Sequence, residues 1–423
     1  GELYLPEYIE GAPVTAINDY AFLYCANLTS VTIPQTVTDI GDYAFCYCTN
    51  LASVTMGGSK TQGVCVGDHA FYRCYALSKL DYGVISEIAD YGFAYSGLTL
   101  ESMTAGLEIV GKYAFAGCEA LTRFTLPESV KSVGDFAFSQ CSSLVYAGFP
   151  AELGNENTGG YIFYDCDALK SITPSEAWTE VPDGIFSDCA NPDITSVLKE
   201  GMTAVGEAAF YRCGTVPSDL KIPSTIQTIG DHAFAVTKVA SVDLPEGLSG
   251  IGAGAFRFTK LTELHLPNSL EKIGSSAFYY TPLTSLTLGD HIESVGTEAF
   301  KDCYDLISVV IKNGGDGSLW GSNVFGGCSS LESVSLPQSW TVVPEGLLYG
   351  CSALTSVDIP TGVTEISDNA FALCKALKEV KLPSGLKKIG STAFSKSGII
   401  TIDIPSTVTE IGDSAFTETA ILS

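Results

Sequence analysis

The segment that decides the fold is LTSVTIPQTVTDIGDYAFCYC, which runs from Leu28 to Cys48. Its first third alternates apolar and polar residues, which predicts a short strand with one buried face. Pro34 ends this strand because it has no N–H to donate to a ladder. Two further apolar residues return to the interior, Gly41 makes a tight turn, and we predict a short helical turn around Ala44 and Phe45.

This segment is one copy of a repeat that fills the chain. Its signature A-F-x-x-C-x-x-L stands complete at Ala44–Leu51 and again at Ala370–Leu377. The aligned Phe occurs at residues 22, 45, 71, 93, 115, 138, 163, 186, 210, 234, 256, 278, 300, 325, 371, 394 and 416, with a Leu at 348. Eighteen repeats with a period of about 23 residues predict a solenoid, because one repeat cannot bury its apolar face alone.

The residue three positions before the aligned Phe is usually of a type that caps helices. It is Asp at 19, 42, 68, 90, 135, 183, 231, 368 and 413, and Ser or Thr at 275, 297, 322 and 391. Such side chains accept a hydrogen bond from an unpaired backbone N–H at the start of a helical turn. Part of the acidity of the chain is therefore predicted to be structural.

The repeat pattern L-x-x-V-x-I-P-x-x-V-x-x-I-G-x-x-A-F-x-x-C of Leu28 to Cys48 resembles that of the BspA-like (Treponema pallidum-type) leucine-rich repeat family. The resemblance implies an α/β leucine-rich-repeat solenoid, a right-handed curved superhelix of about 18 repeats. It places a parallel β-sheet on the concave face and short helical turns on the convex side. Members are mostly bacterial cell-surface or secreted proteins, several of them linked to adhesion to host matrix proteins.

Residues 1–423 are accordingly predicted to form a single solenoid domain. The chain begins abruptly and stops inside a repeat, so we expect it to be a fragment of a longer surface protein. The resemblance also implies an extracellular location, either secreted or attached to the cell surface.

The charge of the chain restricts its partners. It carries 48 Asp and Glu against 22 Lys and Arg, a net charge of −26. This balance argues against nucleic acid and anionic membrane surfaces, since both attract basic patches. No apolar run approaches the roughly 20 residues of a membrane-spanning helix. We expect a monomer without a cofactor, whose partner is an extracellular protein or glycoconjugate, with no nucleic acid partner and no direct membrane insertion.

Twelve of the fourteen cysteines lie three residues after the aligned Phe. This column consists of Cys25, Cys48, Cys74, Cys118, Cys141, Cys166, Cys189, Cys213, Cys303, Cys328, Cys351 and Cys374. The other six repeats hold Ser or Thr there, and all six have a return turn one residue shorter than the usual Cys repeat, as in Thr259 to Leu261 against Cys351 to Leu354. We interpret the column as inward-facing structural thiols that pack and bond to the backbone. Disulfides between neighbouring repeats and metal binding are the alternatives.

Catalysis has little support in the sequence. The chain has four His, and His69 and His232 share a variable surface position after the predicted cap. The nucleophile-elbow, zinc-protease and phosphate-loop sequences are missing. We therefore predict that the protein is not an enzyme.

Binding is the expected function, through polar residues of the strands and through insertions. The candidate binding residues are Lys221, Asp243, His265, Asp358 and Lys381 on predicted strands, with Trp320, Asn155 and Asn157 in insertions. The insertions are Gly57–Gly63, Leu153–Gly160 and Asn313–Trp320, and Asn313–Ser318 faintly resembles a calcium loop.

Three functions stay open. The leading one is adhesion to host or neighbour-cell macromolecules, the second is glycan or mucin recognition by exposed aromatic residues, and the third is a spacer. Tyrosines just after the aligned Phe serve either packing or adhesion. They are Tyr24, Tyr47, Tyr72, Tyr95, Tyr164, Tyr211, Tyr279, Tyr280 and Tyr349.

Overall fold

The computed structural model describes residues 1–57, 63–81 and 83–421. The chain packs as two compact units. Unit 1 comprises Gly1–Met202 with Ala209–Thr215, and unit 2 comprises Thr203–Ala208 with Val216–Ser423. In both units a repeat has three sides, which we name the strand face, the second ladder and the turn edge. The prediction of a single domain over 1–423 stays a prediction.

The strand face is built from the alternating L-x-x-V-x-I part of each repeat, and its strands pair in parallel, as predicted. In unit 1 these strands are Glu2–Tyr4, Ser30–Ile33, Ser53–Met56, Lys79–Asp81, Arg123–Thr125, Tyr146–Gly148 and Ser171–Thr173. In unit 2 they are Asp219–Lys221, Ser241–Asp243, Ser285–Leu288, Ser308–Ile311 and Ser333–Ser335. Burial alternates along each strand, as in Ser285–Leu288, so every second side chain faces outward.

The second ladder forms where the V-x-x-I part turns back to the interior. In unit 1 its strands are Ala16–Ile17, Asp39–Ile40, Val64–Val66, Ile85–Ile88, Ile109–Val110 and Ser132–Val133. In unit 2 they are Ala204–Val205, Thr228–Ile229, Gly250–Ile251, Lys272–Ile273, Ser294–Val295, Val342–Val343, Glu365–Ile366, Lys388–Ile389 and Glu410–Ile411. All of these strands pair in parallel.

Three short elements stand outside this pattern in unit 1. An antiparallel hairpin pairs Tyr8–Ile9 with Ala12–Pro13. Two 3-10 helices cover Asn155–Asn157 and Ile194–Ser196, and they are the helices in the part of the chain that the structure describes.

The turn edge corrects the prediction of short helical turns. Around Ala44 and Phe45 the backbone visits the left-handed region twice, at Tyr43 with φ of 56° and at Tyr47 with φ of 59°. A residue in this region cannot continue a right-handed helix. Instead the N–H groups of Tyr43, Phe45 and Tyr47 donate to carbonyls of the next repeat at 2.7–2.8 Å. Inter-repeat hydrogen bonds of this kind recur along both units, where they alternate with bonds inside the turn such as that from the N–H of Cys46 to the carbonyl of Tyr43 at 3.1 Å.

The cap prediction was half right. Asp42 does accept a backbone N–H, but the donor is Asp68 of the next repeat, at 2.8 Å. The same bond joins Asp231 to the N–H of Ala253 at 2.6 Å and Asp368 to that of Ser391 at 2.7 Å. These aspartates link neighbouring repeats, because the tight turn points the N–H of each repeat toward the preceding one.

The core is a stack of the aligned phenylalanines. In unit 1 the rings of Phe22, Phe45 and Phe71 stack at centroid distances of 5.0 and 5.2 Å. In unit 2 Phe278 stacks on Phe300 at 5.1 Å, and both are fully buried. The apolar residues of both ladders close around this column, which fixes the orientation of the three sides.

Candidate functional site

The strand face of unit 2 carries a shallow depression around three of the predicted residues. Lys221 and Asp243 lie in register on paired strands, and His265 belongs to the next repeat. With Asp219 and Ser241 they line an open cavity of about 280 Å³. The sequence reasoning thus chose residues that the fold brings together.

A break in strand pairing creates this depression. Ser241–Asp243 pairs on one side with Asp219–Lys221, whereas residues 261–267 on its other side form no strand. The floor consists of the flanks of Leu220, Val242 and Leu244, which are otherwise almost completely buried. Both signs of charge therefore surround a partly apolar floor, an arrangement that suits a macromolecular contact.

Asp358 and Lys381 lie further along the same face. They form neighbouring parallel bridges, Ser335 with Asp358 and Asp358 with Lys381, and both side chains are exposed. They are separate from the depression, so the five strand candidates divide into two groups.

Asn155 is not placed for binding. Its side-chain oxygen accepts from the N–H of Thr179 at 2.8 Å, and its nitrogen donates to the carbonyl of Glu180 at 2.9 Å. The asparagine therefore ties the insertion to the next repeat. Asn157 is exposed and bonds to the adjacent Glu156 at 3.0 Å.

Trp320 is buried, although its place in an insertion made it a candidate binding residue. Only 6% of it is accessible, and its ring packs edge-to-face on the fully buried Trp340 at 5.0 Å. The physical reason is the insertion: Gly314 lies against both indole nitrogens, so the loop closes over the two rings. An aromatic platform for a sugar is therefore not available here.

The segment Asn313–Ser318 resembles a calcium loop in sequence, but the described residues form no acidic cluster around it. Asp316 accepts two hydrogen bonds from Ser318, at 2.9 Å from its N–H and 2.5 Å from its hydroxyl. These bonds hold the pKa of the Asp316 carboxyl below its usual range. Over residues 1–57, 63–81 and 83–421 no group of three or more His, Cys, Asp or Glu residues could hold a metal ion. Of the Gly57–Gly63 insertion, residues 58–62 lie outside the described residues.

The cysteine column consists of free thiols, nearly all of them buried. At least ten of them donate to the carbonyl of the aligned residue in the preceding repeat, as Cys118 does to Phe93 at 3.2 Å and Cys374 to Leu348 at 3.2 Å. Cys25 is exposed, since no earlier repeat covers it. Cys65, outside the column, is half-buried.

The Thr residues of this column bond differently. Thr237 and Thr259 donate to the aligned Phe of their own repeat at 2.7 and 2.8 Å. A short hydroxyl curls back within the turn, whereas the longer thiol reaches the neighbouring repeat. This local bond accompanies the shorter return turn in the Thr repeats.

Burial suppresses the chemistry of these thiols. It raises the pKa of Cys48 and that of Cys374 to about 12. The reactive form of cysteine is the thiolate, so buried thiols of this kind are poor nucleophiles and poor metal ligands. Their arrangement is that of packing residues.

The tyrosines of unit 1 mostly pack against one another. At the first left-handed position, successive rings stack with centroids 4.5–5.2 Å apart. The rings are Tyr20, Tyr43, His69, Tyr91, Tyr113, Phe136 and Tyr161. Both faces of each inner ring are covered, so only the edges meet solvent. This favours packing over sugar stacking along the row.

His69 is part of this stack, and its surroundings do not resemble a catalytic site. Its ring lies between Tyr43 and Tyr91 at 4.7 and 4.5 Å. Desolvation lowers its pKa, against the opposing effect of Asp68 and other nearby carboxylates. A neutral imidazole stacked between two phenol rings is a packing residue.

A second tyrosine group surrounds Arg73. Its guanidinium carbon lies 5.2–5.6 Å from the ring centroids of Tyr47, Tyr72 and Tyr95, and it donates a 3.0 Å hydrogen bond to the Tyr47 hydroxyl. Cation–π contacts of this kind stabilise the turn edge. These three tyrosine rings therefore contact a cation of the same chain, the Arg73 guanidinium.

Sequence reasoning named Tyr280 among the tyrosines of packing or adhesion but missed the exposed row of unit 2 to which it belongs. Val236, Phe258 and Tyr280 occupy the second left-handed position of three successive repeats and are 41–50% exposed. Other repeats of unit 2 hold Gly, a charged residue or Leu there, as at Gly327, Lys396 and Leu373. Three successive apolar residues at this position were the available signal.

Comparisons with known proteins agree with the repeat class. Residues 15–99, 86–216, 191–307 and 318–422 match the family described as "BspA type Leucine rich repeat region (6 copies)". No curated protein matches the chain. Within the described part of the chain, no helix has the length and apolarity to cross a bilayer.

Solved structures similar to the chain are leucine-rich repeat proteins. One from Bacteroides ovatus is 24% identical and covers 99% of this chain and 84% of its own, with a TM-score of 0.36. A leucine rich cell surface protein from Faecalibacterium prausnitzii is 23% identical, with coverages of 98% and 87% and a TM-score of 0.30. The pneumococcal vaccine antigen PcpA is 19% identical, with coverages of 100% and 89% and a TM-score of 0.47.

Proposed function

Because this chain belongs to the BspA-type leucine-rich repeat family, we propose that it is a non-enzymatic binding module of an extracellular or cell-surface protein. Proteins built from leucine-rich repeats are typically non-catalytic and bind other proteins. We propose a macromolecule outside the cell as the partner, held on the strand face of unit 2.

The depression at Lys221, Asp243 and His265 carries this proposal. It is open and shallow, it offers both signs of charge, and its floor is apolar. A small-molecule pocket would enclose most of its ligand, whereas this surface can only be covered by something larger. A protein partner fits best, because alternating charges set orientation while apolar flanks provide contact area.

The glycan alternative lost its main support with the burial of Trp320. Sugar recognition commonly uses an accessible aromatic face beside polar groups. The residues that line the depression include no Trp, Tyr or Phe. We therefore rank protein binding above glycan binding on this face.

The test is a binding screen of the purified chain against extracellular-matrix proteins, mucins and glycans. The double variant Asp243→Ala with His265→Ala is compared with Lys272→Ala, an exposed charge on the second ladder of the same unit. We expect saturable binding to a protein, with a Kd at least tenfold higher in the double variant and unchanged in the control. Binding confined to glycans would favour the glycan-binding alternative, and the absence of binding to every probe in the screen would favour a spacer.

A further inference from the structure

One repeat of unit 2 exposes three large apolar side chains, from the turn edge onto the strand face. Tyr304 is 44% exposed, Ile307 48% and Val310 41%. Ile307 directly precedes the strand Ser308–Ile311, and Val310 faces outward within that strand. We name Tyr304, Ile307 and Val310 the apolar strip.

Val310 departs from the residue type that the other repeats of unit 2 hold at this outward position. Its partners in register are Thr287 and Ser335. The other paired residues of this row in unit 2 are Lys221, Asp243, Asp358 and Lys381. Threonine suits a strand as well as valine does, because both are β-branched. The fold therefore does not require an apolar side chain here.

Ile307 departs from its neighbours in the same way. Its N–H donates to the carbonyl of Thr284 at 2.9 Å, and its own carbonyl accepts from the N–H of Glu332 at 2.9 Å. Both neighbours in this row are therefore polar. Ile400 lies in the same row and is 36% exposed, but the outward strand residue of its repeat is Asp403. Single exposed apolar residues are common, whereas the strip places three in one repeat.

Acidic side chains flank the strip on both sides. Asp302 accepts a hydrogen bond from the Tyr304 hydroxyl, and Asp305 follows Tyr304 in the chain. Glu332 lies beside Ile307 in the next repeat, and both Asp305 and Glu332 are exposed. In the part of the chain that the structure describes, neither of these two carboxylates belongs to an ion pair.

The basic residues near the strip do not balance this charge. Lys301 is bound to Glu298 at 2.6 Å, and Lys312 follows the far end of the strand. Between Lys272 and Lys375 the chain has eleven Asp and Glu, these two Lys, one His and no Arg. The strip therefore lies in a negative field, and charge complementarity favours a basic partner.

The strip also continues the depression described above. His265, Thr287 and Val310 hold the outward position in three successive repeats. At about 4.8 Å per strand, the row from Lys221 to Val310 is about 19 Å long. A surface of this length suits a segment of another protein, which can cover the apolar side chains and the charges together.

We propose that the apolar strip docks a basic protein segment that carries aliphatic or aromatic side chains. This inference deepens the function proposed above by naming the class of partner, and it rests on the strand face being the binding side. The net charge of −26 disfavours a second copy of the chain and an anionic bilayer. A sugar fits less well, because its hydroxyls would lose hydrogen bonds to water over Ile307 and Val310.

The probe is a labelled random copolymer of lysine and phenylalanine, and its binding to the full chain is followed by fluorescence anisotropy. Polylysine and a glutamate–tyrosine copolymer are the comparison probes. The test variant is Ile307→Thr with Val310→Thr, which copies Thr284 and Thr287 of the preceding repeat. The control is Ile400→Thr, which changes an exposed isoleucine of the same row outside the strip.

We expect the lysine–phenylalanine copolymer to bind more tightly than polylysine, with a Kd at least fivefold higher in the test variant and within twofold in the control. Asp305→Asn with Glu332→Gln should raise the Kd at least threefold more than Glu271→Gln with Glu293→Gln, a matched pair of exposed carboxylates beside the second ladder. The proposal is overturned if polylysine binds equally well, if the test variant binds as the parent protein does, or if the matched pair loses as much affinity. Preference for the glutamate–tyrosine copolymer overturns the basic partner.

The variant Asp243→Ala with His265→Ala separates this proposal from the proposed function. Weaker copolymer binding in the strip variant alone assigns the docking surface to the strip and excludes the depression from it. Weaker binding in the depression variant alone overturns the strip and leaves the proposed function standing. If neither variant binds more weakly, the strip is overturned, and the screen against extracellular-matrix proteins decides the proposed function separately.

Discussion

The substitution Gly314→Ala tests the closure of the Asn313–Trp320 insertion over the core. A Cβ atom on Gly314 would lie 2.9 Å from Nε1 of Trp320 and 3.0 Å from Nε1 of Trp340. Both contacts are shorter than ordinary van der Waals separations. Because the two indoles are buried and pack on each other at 5.0 Å, neither ring can withdraw freely.

The magnitude follows from overpacking a filled site. Inserting one methyl group into such a site costs about 1–3 kcal/mol. Alanine also lowers the entropy of the unfolded chain, which stabilises by about 0.4–1 kcal/mol where the backbone permits it. Gly385→Ala is the matched control, because its Cβ would meet nothing within 4 Å and it lies in the same unit. The entropic contribution cancels between the two, so the variants should differ by about 1–3 kcal/mol.

The assay is urea unfolding followed by tryptophan fluorescence, in a background that carries Trp178→Phe. Trp178 belongs to unit 1, so the remaining signal comes from Trp320 and Trp340. We expect a lower midpoint for Gly314→Ala and a red-shifted native emission. Equal midpoints and equal emission for Gly314→Ala and Gly385→Ala would refute the packing described here.

Three further predictions concern the thiols and the aspartate bonds. In the native protein, Cys25 and Cys65 should react rapidly with a thiol reagent and the buried column only on unfolding; rapid modification of most thiols would contradict the burial. Burial raises the pKa of Cys46 to about 11, against about 8.5 unfolded. The contribution of the protonated Cys46 thiol to the free energy of unfolding is therefore fully present below pH about 8.5 and is lost as the pH rises toward about 11. The urea midpoint should fall less over this pH window in Cys46→Ala than in the parent protein. An equal fall in both would count against the raised pKa of Cys46. Asp231→Ala removes the 2.6 Å bond to the N–H of Ala253 and should cost about 1 kcal/mol in thermal unfolding. Asp231→Asn keeps an acceptor and should cost less, and equal losses would argue against the bond.

The periodic sequence sufficed for much of the fold because burial in a solenoid repeats with the chain. Alternation over Ser30–Ile33 predicts its inward and outward faces correctly, and Pro34 lies just beyond the end of the strand. The Cys column could be interpreted as structural because its exchange with Ser and Thr goes with the length of the return turn. Local residue types and spacing carry this information.

The turn edge could not be predicted because its hydrogen bonds run between repeats. Asp42 before Ala44 and Phe45 has the composition of a helix start, and nothing local distinguishes it from a turn with Tyr43 in the left-handed region. The deciding donor, the N–H of Asp68, is 26 residues away. Only stacking brings it into reach.

For the candidate site too, part could be predicted from local sequence and part depended on the tertiary structure. The sequence by itself determined which residues of each repeat face outward, and so proposed Lys221, Asp243 and His265, whereas Trp320 was proposed because it lies in an insertion. The tertiary structure decided which of them are available: interrupted pairing beside Ser241–Asp243 opens the depression, and the insertion buries Trp320. The physical reason is that periodicity fixes the direction of a side chain, whereas its exposure depends on what the neighbouring repeats and loops place above it.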